Sequence, residues 1–312
     1  MQRINHYTGL DASERGAVIA LGNFDGLHRG HQVVIETAAA VAKGQGMPLA
    51  VACFRPHPSR FFRPDTPPFR LMSSRMRAKI LKEMGVQYVY EIPFDAALTS
   101  MDDETFVETV LHQGLGVKHV VVGEDFKYGK ARCGDFDSLK KHCTARDIGV
   151  SGIAPISLHQ SYGKYGSTEI REALREGDVF FAAHMLSRPW IVDGEVVKGD
   201  QLGRTLGFPT ANIDFADRIR PRAGIYAAEC RLDGEEAWLR GVAYVGKRPT
   251  VEGSDYRLEM HIFDFDADIY GRILDVAFRT FIRDDVKFDG LEALTVQIKK
   301  DVDGARAIFG MM

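Results

Sequence analysis

The sequence predicts an α/β first half, built on a parallel sheet with crossover helices, followed by a small closed or nearly closed β-barrel and one terminal helix. Three observations predict it. Up to about residue 186 of the 312, short apolar runs alternate with helical stretches. Beyond residue 188, short alternating runs separated by glycines take over. The last segment, Leu291–Ile308, carries one amphipathic helical period. In order, strands are expected at 17–21, 49–54, 88–92 and 119–122, with helices at 32–43, 75–84, 104–113 and 138–147. Segments 168–176 and 179–186 read as two helices split by Gly177 and Asp178, and Arg188-Pro189-Trp190 closes the region. Barrel strands are expected at 190–197, 225–232, 238–245, 256–265 and 273–282. Two domains follow, 1–186 and 187–312.

Composition narrows the classes of function. A formal net charge of −3 and a pI near 6.4 show no basic excess, which argues against nucleic acid as a partner. No apolar run approaches the ~18 residues of a membrane span. The opening MQRINHYTGLDASERG has no apolar signal core, so a cytoplasmic protein without membrane contact is expected. Cys53, Cys143, Cys133 and Cys230 lack C-x-x-C spacing, so neither a zinc site nor a redox pair is indicated.

The run GNFDGLHRGH, from Gly22 to His31, joins the first expected strand to the first helix. Gly22 and Gly26 let backbone approach an anion, and the helix start supplies amide donors with a partial positive charge. His28 and His31, three apart, share one face and can address one phosphate. The run is neither a Walker loop nor a G-x-G-x-x-G fingerprint. It resembles the H-x-G-H signature of nucleotidyltransferases, which attack the α-phosphate of ATP and expel pyrophosphate; such a site concentrates positive charge, and a phosphate acceptor needs no base.

Other parts join it. Phe54-Arg55-Pro56-His57-Pro58 makes a stiff loop at the carboxyl edge of the sheet. Phe126 and Tyr128 either cover a flat ring or pack a core, and core packing is the commoner use. Ser167, Thr168 and Arg171 offer hydroxyls at a helix start and a guanidinium one turn in. In the second half, Gly199 to Asn212 is a glycine-rich loop ending in Pro209-Thr210-Ala211-Asn212, whose hydroxyl and amide oxygen are hard ligands of the kind Mg²⁺ accepts. In RLEMHIF, Leu258, Met260 and Ile262 share one strand face, and Glu259 and His261 share the other. A glutamate there can take the proton of an alcohol attacking a γ-phosphate, or it can simply face solvent. Arg248, Arg283 and Lys287 add charge near turns.

Together these motifs resemble the bacterial bifunctional riboflavin kinase and FAD synthetase (FMN adenylyltransferase) family. The resemblance runs in order through GNFDGLHRGH, FRPHP, VVGEDFKYG, STEIREALREGDV, GRTLGFPTAN, GVAYVGKRPT, LEMHIFDFDADIYG and FIRDDVKFDGLEAL. It implies a Rossmann-like nucleotidyltransferase domain and a six-stranded antiparallel barrel with a C-terminal helix. It implies riboflavin, FMN and ATP as substrates, with Mg²⁺ as the metal. His28 and His31 would bind and activate ATP, with Gly22, Phe24, Gly26, Ser167, Thr168 and Arg171 around its phosphates. Gly203, Arg204 and Gly207 would form the kinase flap, Thr210 and Asn212 would hold Mg²⁺, and Glu259 would be the base. Flavin contacts are implied at Phe61, Phe62, Asp125 and Arg283. The chain departs from the family pattern at Gly166, usually serine, at Glu169, often arginine, at Arg55, often aspartate, and at Tyr244 and Asp125, often asparagine. Two alternatives stay open at this point: a kinase with a weakened first half, and a flavin-binding sensor without turnover.

Overall fold

The computed structural model describes residues 1–159, 163–199, 201–250 and 253–311, with side chains at 157–164, 247–250 and 253–255 left out, so Arg248 lies outside the description. The chain divides into two compact units, Met1–Thr66 with Ser74–Gly166, and Pro67–Ser73 with Ser167–Met312.

The first unit holds strands β1 (Gln2–Ile4), β2 (Val18–Leu21), β3 (Leu49–Arg55), β4 (Tyr88–Pro93), β5 (His119–Gly123) and β6 (Gly149–Ile153) in one sheet of order β1-β4-β3-β2-β5-β6. Every pairing is parallel. Val18, Ile19, Ala20 and Leu21 are all buried, as a strand covered by helices on both faces requires. The connecting helices are α1 (Arg29–Gln45), α2 (Pro58–Phe62), α3 (Ser74–Glu83), α4 (Ala96–Ser100), α5 (Asp103–Phe106) and α6 (Phe136–Thr144). A short hairpin of β7 (Ser157–His159) and β8 (Gly163–Lys164) ends the unit. The helix expected at 104–113 is instead α5 running into a π-helical segment, Val107–Gly114. A Cβ at Gly114 would come within 2.4 Å of the Tyr7 carbonyl oxygen, so the chain passes there only as glycine. Val107, Val110 and Leu111 still bury fully against Ile19, Leu21, Ala50 and Val120.

The second unit begins with α7 (Ser167–Glu176) and α8 (Val179–Leu186), then β9 (Ile191–Glu195), α9 (Leu202–Thr205), β10 (Ala211–Asp214), β11 (Gly224–Leu232), β12 (Leu239–Thr250), β13 (Gly253–Ile262), β14 (Ile273–Asp284) and α10 (Leu291–Ile308). Its sheet has six strands in the order β10-β13-β12-β11-β14-β9, all antiparallel. An isolated bridge between Val197 and Asn212 joins the two edges, with the Val197 amide donating to the Asn212 carbonyl at 2.9 Å, so the barrel is nearly closed. Tyr226, Ala243, Val245, Leu258, Met260 and Phe278 fill the interior. On the outer face Ile225, Ala227 and Val242 pack beneath Val302 and Ala305 of α10.

The segment Pro67–Ser73 belongs to this second unit although it precedes α3 in sequence. The Phe69 and Arg70 amides donate to the Asp217 carbonyl, the Trp190 indole nitrogen donates to the Leu71 carbonyl at 2.8 Å, and Ser73 donates to Asp193 at 2.7 Å. Leu71 and Trp190 are 1% exposed, and burying a side chain of that size stabilises by roughly 1.5–3 kcal/mol. Among the described residues no helix is long and apolar enough to cross a membrane. Cys53, Cys143 and Cys230 are buried and Cys133 is exposed, with burial pushing the Cys143 and Cys230 thiols up to about 12.

Candidate functional site

In the first unit the strand order reverses at β2, which sits between β3 and β5, and the turns after β2 and β5 therefore flank the crevice at the carboxyl ends of the strands. The turn after β2 is Gly22 to His28. Phe24, Gly26 and Leu27 take positive φ values of 51°, 89° and 47°. For Phe24 and Leu27 this conformation is costly, and it holds because both side chains are buried, at 1% and 0% exposure. Their anchoring aims the chain so that His28 becomes the N-cap of α1, its Nδ1 accepting the His31 amide at 3.4 Å. The His28 and His31 rings stack with centroids 3.6 Å apart, and Phe24 meets His31 edge-on at 5.2 Å. The spacing argument, that both imidazoles share one face, is met in this geometry.

Two contributors to this turn were missed in the sequence. A Cβ at Gly30 would lie 3.2 Å from His28 ring atoms, so that glycine clears the imidazole's place; its position between the two histidines was the available signal. The Asn23 side-chain oxygen is buried without a hydrogen-bond partner among the described residues.

The loop after β3 places α2 at the same edge, capped by His57, whose Nδ1 accepts the Ser59 amide at 3.2 Å. Phe61 and Phe62 pack edge-on against Phe94 at 5.4 and 5.7 Å, and Phe62 remains 65% exposed. Arg55 bonds the buried Glu91 carboxylate at 2.9 Å, a group that also receives Arg3 at 2.8 Å and Arg77 at 2.9 Å. Burial alone would raise the Glu91 pKa, but hydrogen bonds from Arg55 and Arg3 and the surrounding guanidinium charge bring it below the usual carboxylate range. The arginine at 55 is thus matched to an acidic partner. After β5, Asp125 is exposed, whereas Phe126 and Tyr128 stack at 5.7 Å and Tyr128 packs on Phe106 at 5.3 Å, which is core packing.

Ser167, Thr168 and Arg171 lie in the first turns of α7, in the second unit. The Arg171 Nε donates to the Phe69 carbonyl at 2.8 Å and its guanidinium lies 5.5 Å from the Phe69 ring centroid, so its direction is set by the 67–73 segment. Two residues before it, the Glu169 Oε2 is buried without a hydrogen-bond partner among the described residues.

The barrel carries the second constellation. Asn212 on β10 faces Glu259 on β13, Glu259 faces Tyr244 on β12, and Tyr244 faces Ile225 on β11. Paired residues share a face, so Glu259 stands on the outer face that α10 covers beside Ile225, while Leu258 and Met260 fill the interior. Strand alternation predicted two faces, and register decides which one Glu259 occupies. The Thr210 hydroxyl donates to the Glu259 Oε2 at 3.3 Å. The Asn212 amide nitrogen reaches the Thr210 carbonyl at 3.4 Å, and its side-chain oxygen is buried with no partner among the described residues. Gly199, the first glycine of that loop, makes room for this side chain, since a Cβ there would lie 2.6 Å from the Asn212 oxygen.

A cavity of about 300 Å³ opens here, lined by Gly199, Arg204, Thr210, Asn212 and the 265–270 loop. Gly203 supports the flap from below, because a Cβ there would meet the Phe208 carbonyl oxygen at 2.4 Å, and Gly207 takes a φ of 85°. His261, on the same strand face as Glu259, shares a hydrogen bond with the Pro209 carbonyl at 2.9 Å, and burial lowers its pKa. Arg283 is held bidentately by Asp301 of α10 at 2.8 and 2.6 Å, an anchor for that helix, and Lys287 is exposed.

Comparison with known proteins identifies the family of each half. Residues 10–166 match the family model of FAD synthetase, and residues 186–309 match that of riboflavin kinase. The bifunctional riboflavin kinase/FMN adenylyltransferase of Escherichia coli (strain K12) is 37% identical over 300 residues, covering 96% of this chain and 95% of its own. That of Pseudomonas fluorescens is 39% identical over 309 residues, covering 99% and 98%, and that of Bacillus subtilis (strain 168) is 35% identical, covering 94% and 92%. Among solved structures, a crystal structure of a macrolide-efflux protein from Streptococcus pneumoniae superposes with a TM-score of 0.85 at 31% identity, over 98% of each chain. The chain belongs to the family of bifunctional riboflavin kinase/FMN adenylyltransferases.

Proposed function

We propose that this protein makes FMN from riboflavin and ATP at the barrel, and then FAD and pyrophosphate from FMN and a second ATP at the histidine turn. One observation carries the reading: two sites of opposite chemical character. The barrel presents a carboxylate hydrogen-bonded to a threonine hydroxyl beside an unpartnered amide oxygen. The first unit presents stacked imidazoles at a helix start.

In the kinase step Glu259 takes the proton of the ribityl 5′-hydroxyl as that oxygen attacks the γ-phosphorus, and ADP leaves. The hard oxygens of Thr210 and Asn212, one of them buried with no partner among the described residues, fit Mg²⁺. When bound, Mg²⁺ supplies positive charge to the phosphate oxygens of ATP. Arg204, with Gly203 and Gly207 allowing the flap to close, covers the phosphates. In the adenylyl step an FMN phosphate oxygen, already ionised, attacks the α-phosphorus and pyrophosphate leaves. His28 and His31 stabilise the developing charge, and the turn of Gly22, Phe24 and Gly26 brings the backbone close to the phosphates. Ser167, Thr168 and Arg171 hold the phosphates, and Phe61, Phe62 and Asp125 border the flavin.

Because Ser167, Thr168 and Arg171 serve the adenylyl step, we assign residues 1–186 to the adenylyltransferase and 187–312 to the kinase. Both steps consume ATP, which supports a cytoplasmic location, and neither calls for nucleic acid or a membrane. Incubating the protein with riboflavin, ATP and Mg²⁺ and separating the flavins tests the reading. FMN and FAD support it; FMN alone removes the adenylyltransferase, and neither flavin removes both.

A further inference from the structure

We infer that Tyr244 and Asp285 form the hydroxyl-reading end of the kinase acceptor site, holding the ribityl chain of riboflavin so that its terminal hydroxyl meets Glu259. The inference rests on the kinase assignment above. Asn212, Glu259, Tyr244 and Ile225 are successive cross-strand partners, so their side chains leave the outer face of the barrel in a row, neighbours about 5 Å apart. The cavity beside Arg204, Thr210 and Asn212 lies at one end of that row, and the kinase assignment gives it to the nucleotide. Phosphoryl transfer places attacking and leaving oxygens roughly in line. The acceptor therefore enters from the side of Glu259 opposite Asn212, and the neighbour on that side is Tyr244.

A polar pair stands there. The Tyr244 hydroxyl donates to the Asp285 Oδ2 at 3.1 Å. The ring's place is made by Gly246, where an added Cβ would come within 2.0 Å of the phenol oxygen. Asp285 is an exposed residue of the segment linking β14 to α10. A carboxylate has several acceptor positions and the phenol uses one, so the pair suits the secondary hydroxyls of a polyol. Those hydroxyls follow directly behind the reacting one in a ribityl chain, and the spacing of one strand from Glu259 matches their reach.

The test is steady-state phosphorylation of riboflavin and of its 2′-, 3′- and 4′-deoxyribityl analogues by the full-length protein. Wild type is expected to prefer riboflavin over at least one analogue by about tenfold or more in kcat/KM. Tyr244→Phe and Asp285→Asn are each expected to raise the riboflavin KM roughly tenfold, to move kcat by less than about threefold, and to shrink that preference to within about twofold. Asp285→Asn changes one exposed side chain, and conversion of supplied FMN to FAD reports that each variant is folded. Unchanged preference and KM in both variants, or a loss confined to kcat, overturns the inference. A wild-type protein that makes no FMN overturns the kinase assignment as well, whereas active wild type with indifferent variants overturns this inference alone.

Discussion

Replacing Glu259 with glutamine removes a proton acceptor while keeping the size and shape of the side chain. The Glu259 Oε2 accepts the Thr210 hydroxyl at 3.3 Å, and an amide oxygen can accept the same bond, so the neighbouring Asn212 and the barrel seam keep their geometry. General-base catalysis contributes about 10²–10⁴ in rate, or roughly 2.7–5.5 kcal/mol of activation free energy. The local structure sets the expectation at the upper half of that range, because the polar groups described around Glu259 are already engaged, Asp285 with the Tyr244 hydroxyl one strand away. His261, the next polar residue on that strand face, lies about 7 Å further along the strand and is engaged with the Pro209 carbonyl. The expected loss in FMN formation is therefore about 10³-fold or more. Chromatographic time courses starting from riboflavin measure it, and parallel reactions starting from FMN are expected to yield FAD at the wild-type rate. Riboflavin phosphorylation within about tenfold of wild type would refute the base assignment.

Further predictions address the other groups. Changing both His28 and His31 to alanine should lower FAD formation by about 100-fold or more and let FMN accumulate; pyrophosphate release checks it, and normal release would make the histidine turn structural. Because His28 also caps α1, His28→Ala alone should cost about 1 kcal/mol of stability, whereas His28→Asn should keep the cap and the thermal midpoint yet lose activity. Asn212→Ala should raise the Mg²⁺ concentration for half-maximal kinase velocity by about tenfold and leave conversion of supplied FMN untouched, read from metal titrations of both reactions. Glu91→Ala should cost on the order of 3–5 kcal/mol by leaving Arg77 buried without its carboxylate, read from denaturant midpoints. The folded-state pKa of Glu91 is lowered from an ordinary value of 4.5, so its contribution is fully present above that pH and is lost as pH falls through the lower folded value. The stability gap between wild type and Glu91→Gln should accordingly narrow in acid below 4.5.

Periodicity made the architecture legible where one face or both faces are buried. The helices Val179–Leu186 and Leu291–Ile308 carry the bounds expected for them. Legibility failed for short or weakly apolar strands. Gln2–Ile4 has only three residues, and Gly149–Ile153 is half glycine and polar, so each is a strand because a parallel neighbour pairs with it. Ala211–Asp214 was hidden inside a run whose glycines and hydroxyls read as a ligand loop, yet it is the edge strand that presents Asn212 to Glu259. The candidate residues were picked out by several motifs occurring together and by the family resemblance they carry, because a lone glutamate on an outward strand face or a lone glycine-rich hairpin has commoner uses. Tyr244 and Asp285 were not legible as a pair, since 41 positions separate them and only the register of β12 brings the phenol to that carboxylate.

The excursion of Pro67–Ser73 into the second unit makes this protein a poor candidate for simple dissection. A gene cut once between the halves would deprive the barrel fragment of Leu71 and of the carbonyl that satisfies the Trp190 indole, leaving an apolar slot and an orphaned donor where the intact chain has neither. Supplying a peptide that spans 67–73, or grafting it by circular permutation, is the route by which such a fragment would regain its full set of partners.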